Sequence, residues 1–277
     1  MRHLVAVVLV SLLTLAGCTA DDGGDAPTSS DPSPTDSPSS AAPPTASAAP
    51  RPANRACYDL SYSDAVAPTT SAEPVGCSRP HTAMTYATGD LDTVVDGHLL
   101  AVDSERVQDQ VAADCPERFA TFVGGSTEDL RLSMLRPVWF TPTVEESDAG
   151  ASWFRCDVVA LATDEELAPL TGRLAGALGT PEGRDRYGMC GTAEPGSRDF
   201  TRVVCSQQHS WRAVAVVPFP AGSYPGEQQV RAAGDAPCED AGAAASSDSL
   251  EYAWGYEWPT AEQWKTGQTF GRCWVPD

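Results

Sequence analysis

Apolar positions along this chain change period several times, and the changes mark out short elements. Val107, Val111, Cys115 and Phe119 recur every four residues. That spacing puts them on one helical face over residues 104–122, with Asp103 or Ser104 as the cap. Period-two alternation over residues 82–88 and 211–217 predicts half-buried strands. The same pattern predicts strands at Leu130, Leu132 and Met134, and at Tyr252, Trp254, Tyr256 and Trp258. Residues 227–245 also suit a helix, but Gly234 and Pro237 inside it predict a shorter or kinked one. Thr143 with Glu146, and Thr260 with Gln263, have the spacing of reciprocal side-chain caps and predict two short helices.

These elements run through the same order twice. The first half carries Cys57, Cys77, Cys115 and Cys156, the second Cys190, Cys205, Cys238 and Cys273. Cys77-Ser-Arg-Pro-His81 matches Cys205-Ser-Gln-Gln-His209, and an alternating strand follows each. Val107 precedes Cys115 by the same step as Val230 precedes Cys238, about two helical turns, so valine and cysteine share a face. Pro142-Thr143-x-Glu145 reaches Gly150 and Cys156 at the offsets at which Pro259-Thr260-x-Glu262 reaches Gly267 and Cys273. The predicted class is α+β: two tandem small disulfide-stapled repeats, residues 56–176 and 187–277, each a short antiparallel sheet with one main helix.

The region before the repeats is of a different kind. Met1, Arg2 and His3 precede an apolar run too short to span a bilayer, and Leu15-Ala16-Gly17-Cys18 follows it. This start resembles a bacterial lipoprotein signal with its lipobox, residues 1–18, which implies cleavage and lipidation at Cys18. Acyl chains there would anchor the protein in the cytoplasmic membrane on its extracytoplasmic side. Residues 19–55 are Pro, Ser, Thr and Ala with scattered Asp, too poor in apolar surface to fold, and predict a disordered tether. Fully extended, it would reach roughly 110 Å. The formal charge of -20 repels phosphate backbones and excludes nucleic acid as a partner.

Beyond Cys18, the cysteine count of an exported chain is even, which predicts four disulfides. Each repeat allows three pairings. Pairing neighbours in order is expected: Cys57–Cys77, Cys115–Cys156, Cys190–Cys205 and Cys238–Cys273. The first pair of each repeat flanks a hairpin-length loop, and the third cysteine sits on the helix facing a strand that ends at the fourth. His81 and His209 each lie four residues after a cysteine. They could join these cysteines as zinc ligands, but that would strand two other cysteines, so no metal and no cofactor is expected. Each histidine is expected instead to cap a strand through a backbone carbonyl. The alternative is a wall-acting hydrolase or transferase using His81, although no Gly-x-Ser-x-Gly elbow is present. Acidic pairs such as Glu145–Glu146 and Asp164–Glu166 read as solvated. The aromatic residues Trp254, Tyr256, Trp258, Trp264 and Trp274 are partly core, and Trp254, Tyr256 and Trp258 are candidates for a binding face.

The ordered series Cys57, Cys77-x-x-Pro80-His81, a helix with Cys115, Pro142-Thr143-x-Glu145, Gly150-x5-Cys156 and Leu170-Thr171-Gly172-Arg173-Leu174-Ala175-Gly176 resembles the septum-formation domain of actinobacterial envelope proteins. The resemblance covers residues 56–176 and, with Gln208 in place of the proline and no closing Leu-Thr-Gly segment, residues 187–274. It implies a link to septation and no particular reaction. The expected function is therefore a lipid-anchored, non-enzymatic interaction module of the envelope, with a cell-wall or division-site protein as partner. A ligand-binding lipoprotein using the aromatic face of the second repeat is a further alternative.

Overall fold

The computed structural model describes residues 48–247 and 251–277. The expected signal segment, Cys18 and the tether as far as residue 47 lie outside the described residues. The first repeat contains β1 (Cys57–Tyr58), α1 (Tyr62–Ala65), β2 (Ala83–Asp90), the hairpin β3 (Val94–Val95) and β4 (His98–Leu99), and α2 (Glu105–Val123). It continues with α3 (Thr127–Arg131), β5 (Leu135–Phe140), α4 (Val144–Asp148), β6 (Trp153–Thr163) and β7 (Glu166–Ala168). A 3-10 turn (Ala177–Gly179) and α5 (Pro181–Tyr187) lead to β8 (Met189–Gly191), β9 (Arg202–Val204) and β10 (Trp211–Pro218) of the second repeat. Then come α6 (Glu227–Ala232), α7 (Asp235–Ala245), β11 (Gly255–Glu257), α8 (Ala261–Lys265) and β12 (Phe270–Pro276).

The duplication read from the cysteines extends to strand register. Sheet one runs β1-β2-β6-β5, with β7 also on β6, and sheet two runs β11-β12-β10-β8-β9. Taking β8 for β1, β10 for β2, β12 for β6 and β11 for β5, the pairings superimpose. Ala87 faces Cys156 and Ala215 faces Cys273, and both pairings follow a register shift at the same place, Thr85/Ala87 and Ala213/Ala215. Trp139 faces Cys156 as Tyr256 faces Cys273. The four bridges join the expected partners, Cys57–Cys77, Cys115–Cys156, Cys190–Cys205 and Cys238–Cys273. The second and fourth staple the helix to the central strand of each sheet. Each closed loop contributes about 3 kcal/mol or more in the chain-entropy account.

Local signals account for most boundaries. The residues spaced by four on α2, Val107, Val111, Cys115 and Phe119, are all buried. Ser104 stands at its N-cap, but its hydroxyl donates to the Ala101 carbonyl rather than capping the helix. The helix expected over 227–245 divides into α6 and α7 at Gly234. Both threonine capping boxes form, starting α4 and α8. Two expectations are corrected. Leu130 lies in helix α3, not a strand, and the strand begins only at Leu135. The helix wins because Ser126 and Asp129 form a capping box directly after Gly124 and Gly125, both at positive φ. The strand expected from Tyr252 to Trp258 is confined to Gly255–Glu257.

The two repeats share one core. Its largest cluster takes Phe119, Val123, Met134 and Val158 from the first repeat and Met189, Val204, Ala213 and Trp274 from the second, with Leu170 and Leu174 at the end of the first repeat and Leu178 of the intervening segment also in it. Backbone bonds close the seam as well: Met134 N–H donates to the Tyr187 carbonyl and Met189 N–H to the Leu132 carbonyl, both at 2.7 Å. Apolar surface that either half would expose alone is thereby removed from water, the dominant favourable term in folding. Among the described residues no helix is long and apolar enough to cross a membrane.

Candidate functional site

Both histidines occupy the same structural position. Nδ1 of His81 lies 2.8 Å from the Arg79 carbonyl and Nδ1 of His209 lies 2.6 Å from the Gln207 carbonyl. In each case the ring closes a tight turn two residues back, after the second cysteine, which fixes the tautomer with hydrogen on Nδ1. His81 is buried, and among the described residues that carbonyl is the one hydrogen-bond partner of its ring, while its own carbonyl accepts from Leu170 N–H at 2.9 Å. Among the described residues no side-chain hydrogen bond ties this ring to a nucleophile or a carboxylate. His209 also reaches Asp277 through Nε2 at 3.0 Å, and Arg212 holds that carboxylate at 2.6 Å. Cys190 lies close to this pair, but its sulfur is bonded to Cys205 and offers no thiolate to a metal.

A site not foreseen from the sequence lies where each sheet buries an arginine. Arg155 and Arg272 each precede the last cysteine of their repeat, and each is almost fully buried. In the first repeat the Arg155 guanidinium stands 3.7 Å from the centre of the Tyr58 ring and 4.7 Å from that of Phe140, and 3.2 Å from Asp157. Asp157, wholly buried, also accepts a hydrogen bond from the Thr85 hydroxyl at 2.7 Å. Burial pushes its carboxyl up to about 6, against the opposing pull of Arg155 and Thr85. In the second repeat the counter-ion has moved. Phe140, which faces Arg155 across the sheet, is replaced by Glu257, which faces Arg272. Trp274 occupies the position of Asp157. Glu257 also pairs with Arg202, and Asp164 lies 3.7 Å from the same arginine. The arginine preceding the last cysteine in both halves was the available sequence signal.

Moving the carboxylate onto β11 places it beside two clefts. β11 is the terminal strand of its sheet and, among the described residues, pairs with β12 alone. Two adjoining clefts follow its free edge, of about 840 and about 400 Å³, and both include Tyr256 and Trp258. The larger is walled by α6 and the start of α7 on one side and by Glu194 and Pro195 of the β8–β9 loop on the other. The smaller reaches Arg202 and Glu257. Tyr256 is held flat because no side chain lies beneath it: a Cβ at Gly234 or Gly271 would come within 2.4 Å of its ring or hydroxyl. Its hydroxyl donates to the Val230 carbonyl at 3.1 Å, and burial pushes its pKa up to about 12. The Arg231 guanidinium lies 4.5 Å from the centre of the Trp258 ring. Trp254, Tyr256 and Trp258 are all half-buried, whereas Trp264 and Trp274 are core. The three residues picked out by alternation thus lie at β11, Tyr256 within it and Trp254 and Trp258 flanking it.

The first repeat has closed the same place. Its edge strand β5 carries Pro137 at the position of Trp254, so a backbone donor is missing from that edge. Thr141 stands where Trp258 stands and is buried, accepting a hydrogen bond at 3.2 Å from Gln108, the counterpart of Arg231. A family model described as septum formation matches residues 28–147 and again residues 139–273. No curated protein and no solved structure matches the chain.

Proposed function

Because the chain belongs to the septum formation family, we propose that it is a lipid-anchored, extracytoplasmic interaction module of the cell envelope that serves septation by docking a partner along β11. The observation that carries this reading is the contrast between the two edges: duplicated sheets, one edge occluded by Pro137 and a buried Thr141, the other left open beside half-buried aromatic residues. Tryptophan and tyrosine rings that remain partly exposed are among the residues on which interfaces concentrate their binding energy. Four disulfides support an oxidising compartment, and the lipobox-like Leu15-Ala16-Gly17-Cys18 supports an anchor at Cys18.

The anchor is tested by Cys18→Ser, which should move the protein from the membrane fraction to the soluble or secreted one; unchanged membrane retention would refute it. The docking role is tested by crosslinking on living cells. Trp258→Ala is expected to abolish the crosslinked species obtained with the wild-type chain, while Trp139→Ala, at the occluded edge, leaves it in place. Equal loss in both variants would count against the groove.

A further inference from the structure

Resting on the docking reading above, we infer that the groove takes an extended peptide segment carrying lysine or arginine, added as a strand to the free edge of β11. Three observations lead there. A terminal strand presents one row of unpaired backbone groups, and an added strand pairs with them while sending alternate side chains to the two faces of the sheet. Each face of β11 borders a cleft: Tyr256 faces α7, lying over Gly234, while Glu257 faces the other way, toward Arg202 and Arg272. A strand laid along the edge would therefore place successive side chains into cleft on either side.

Charge chooses the occupant. The larger cleft carries Glu194, Glu227 and Asp235, all exposed, against a single cation, Arg231, which is itself 3.7 Å from Glu227 and stacked on Trp258. The wall is left with uncompensated negative charge and ring faces that attract cations. A second copy pairing edge to edge would set this acidic wall against another. The chain's own residues 19–47 carry Asp21, Asp22, Asp25, Asp31 and Asp36 and are interrupted by proline. Repulsion and missing backbone donors both oppose that segment. A separate basic segment with unsubstituted backbone amides meets neither obstacle.

The occluded edge of the first repeat supplies the test. The purified ectodomain is titrated, following tryptophan fluorescence, with an extended heptapeptide of alternating lysine, valine and threonine. Three further probes are its glutamate-for-lysine analogue, its alternately N-methylated form and an N-acetylglucosamine oligomer. Saturable binding of the lysine peptide is expected, weakened roughly tenfold or more by N-methylation and by the glutamate exchange. Trp254→Pro, which copies Pro137, should remove binding. Should that variant not fold, Glu227→Gln with Asp235→Asn should weaken the lysine peptide and reduce its salt dependence. Equal binding of the methylated peptide would overturn strand addition, and so would absence of saturable binding. Binding of the sugar oligomer alone would overturn the peptide but keep the groove as the docking site. Concentration-dependent dimers lost in Trp254→Pro would make a second copy the occupant and overturn the inference.

Discussion

Arg155→Ala is expected to destabilise the protein by about 3–5 kcal/mol, the range for removing one partner of a buried pair or truncating a large buried side chain. Arg155 fills the space between Tyr58 and Phe140 and is the ion-pair partner of Asp157. Its removal leaves a cavity between two rings and a buried carboxyl with only the Thr85 hydroxyl for company. Arg155→Met, which restores bulk without charge, should recover a large part of the loss. The same site sets a pH dependence. Asp157 titrates at about 6 in the folded chain, above the usual carboxylate value of 3.8. The folded state therefore holds this proton more tightly than the unfolded state. The stability it supplies is full below the unfolded value and is lost as pH rises through about 6, on the order of 1 kcal/mol between pH 5 and pH 7. Denaturant unfolding at the two pH values should show that decline in the wild type and its absence in Asp157→Asn. Arg155→Ala raises the folded value further and moves the decline to higher pH. A slope that persists in Asp157→Asn would assign it to other groups.

What the sequence made legible was whatever depends on spacing along the chain. Landmarks in the same order, with equal steps from Val107 and Val230 and from Pro142 and Pro259 to their cysteines, gave the duplication; cysteine order gave the four bridges, four-residue recurrence gave α2, and the glycine at 234 gave the break between α6 and α7. Leu130 shows where this fails locally: alternation of three leucine and methionine positions was outweighed by the capping box of Ser126 with Asp129, which starts a helix over the first of them. Arg155 and Arg272 show where it fails at long range. A charged residue in a strand reads as solvent-facing, and only register reveals that Phe140 and Glu257 stand across from them. Along β6, eight consecutive residues from Trp153 to Ala160 are buried because both faces of the sheet are covered, so alternation carries no signal there. The groove was half legible. Trp254, Tyr256 and Trp258 declared themselves as aromatic residues in alternation, but the walls come from α6 and from Glu194 and Pro195, which only the folded chain brings to β11.

Trp274→Ala carries the other large effect, and it tests whether the repeats are one folding unit. Trp274 is fully buried on β12, meets Phe200 edge-on at 5.1 Å between ring centres, and belongs to the cluster that also holds Phe119, Met134 and Val158 of the first repeat. Truncating such a ring typically costs about 3–5 kcal/mol through lost burial and the void left behind, a large share of the 5–15 kcal/mol that holds a typical domain together. Among the described residues its indole nitrogen has no hydrogen-bond partner, so Trp274→Phe loses bulk but also removes an unsatisfied donor and should cost clearly less. Because the cluster crosses the seam, the alanine variant should weaken both repeats together. Hydrogen exchange should show lowered protection on β2 and β6 of the first repeat as well as on β10 and β12 of the second, within a single unfolding transition. Protection lost from the second repeat alone, with the first unchanged, would mean that the shared cluster does not couple them. In that case the disulfides, which never cross between repeats, would be holding two separate units.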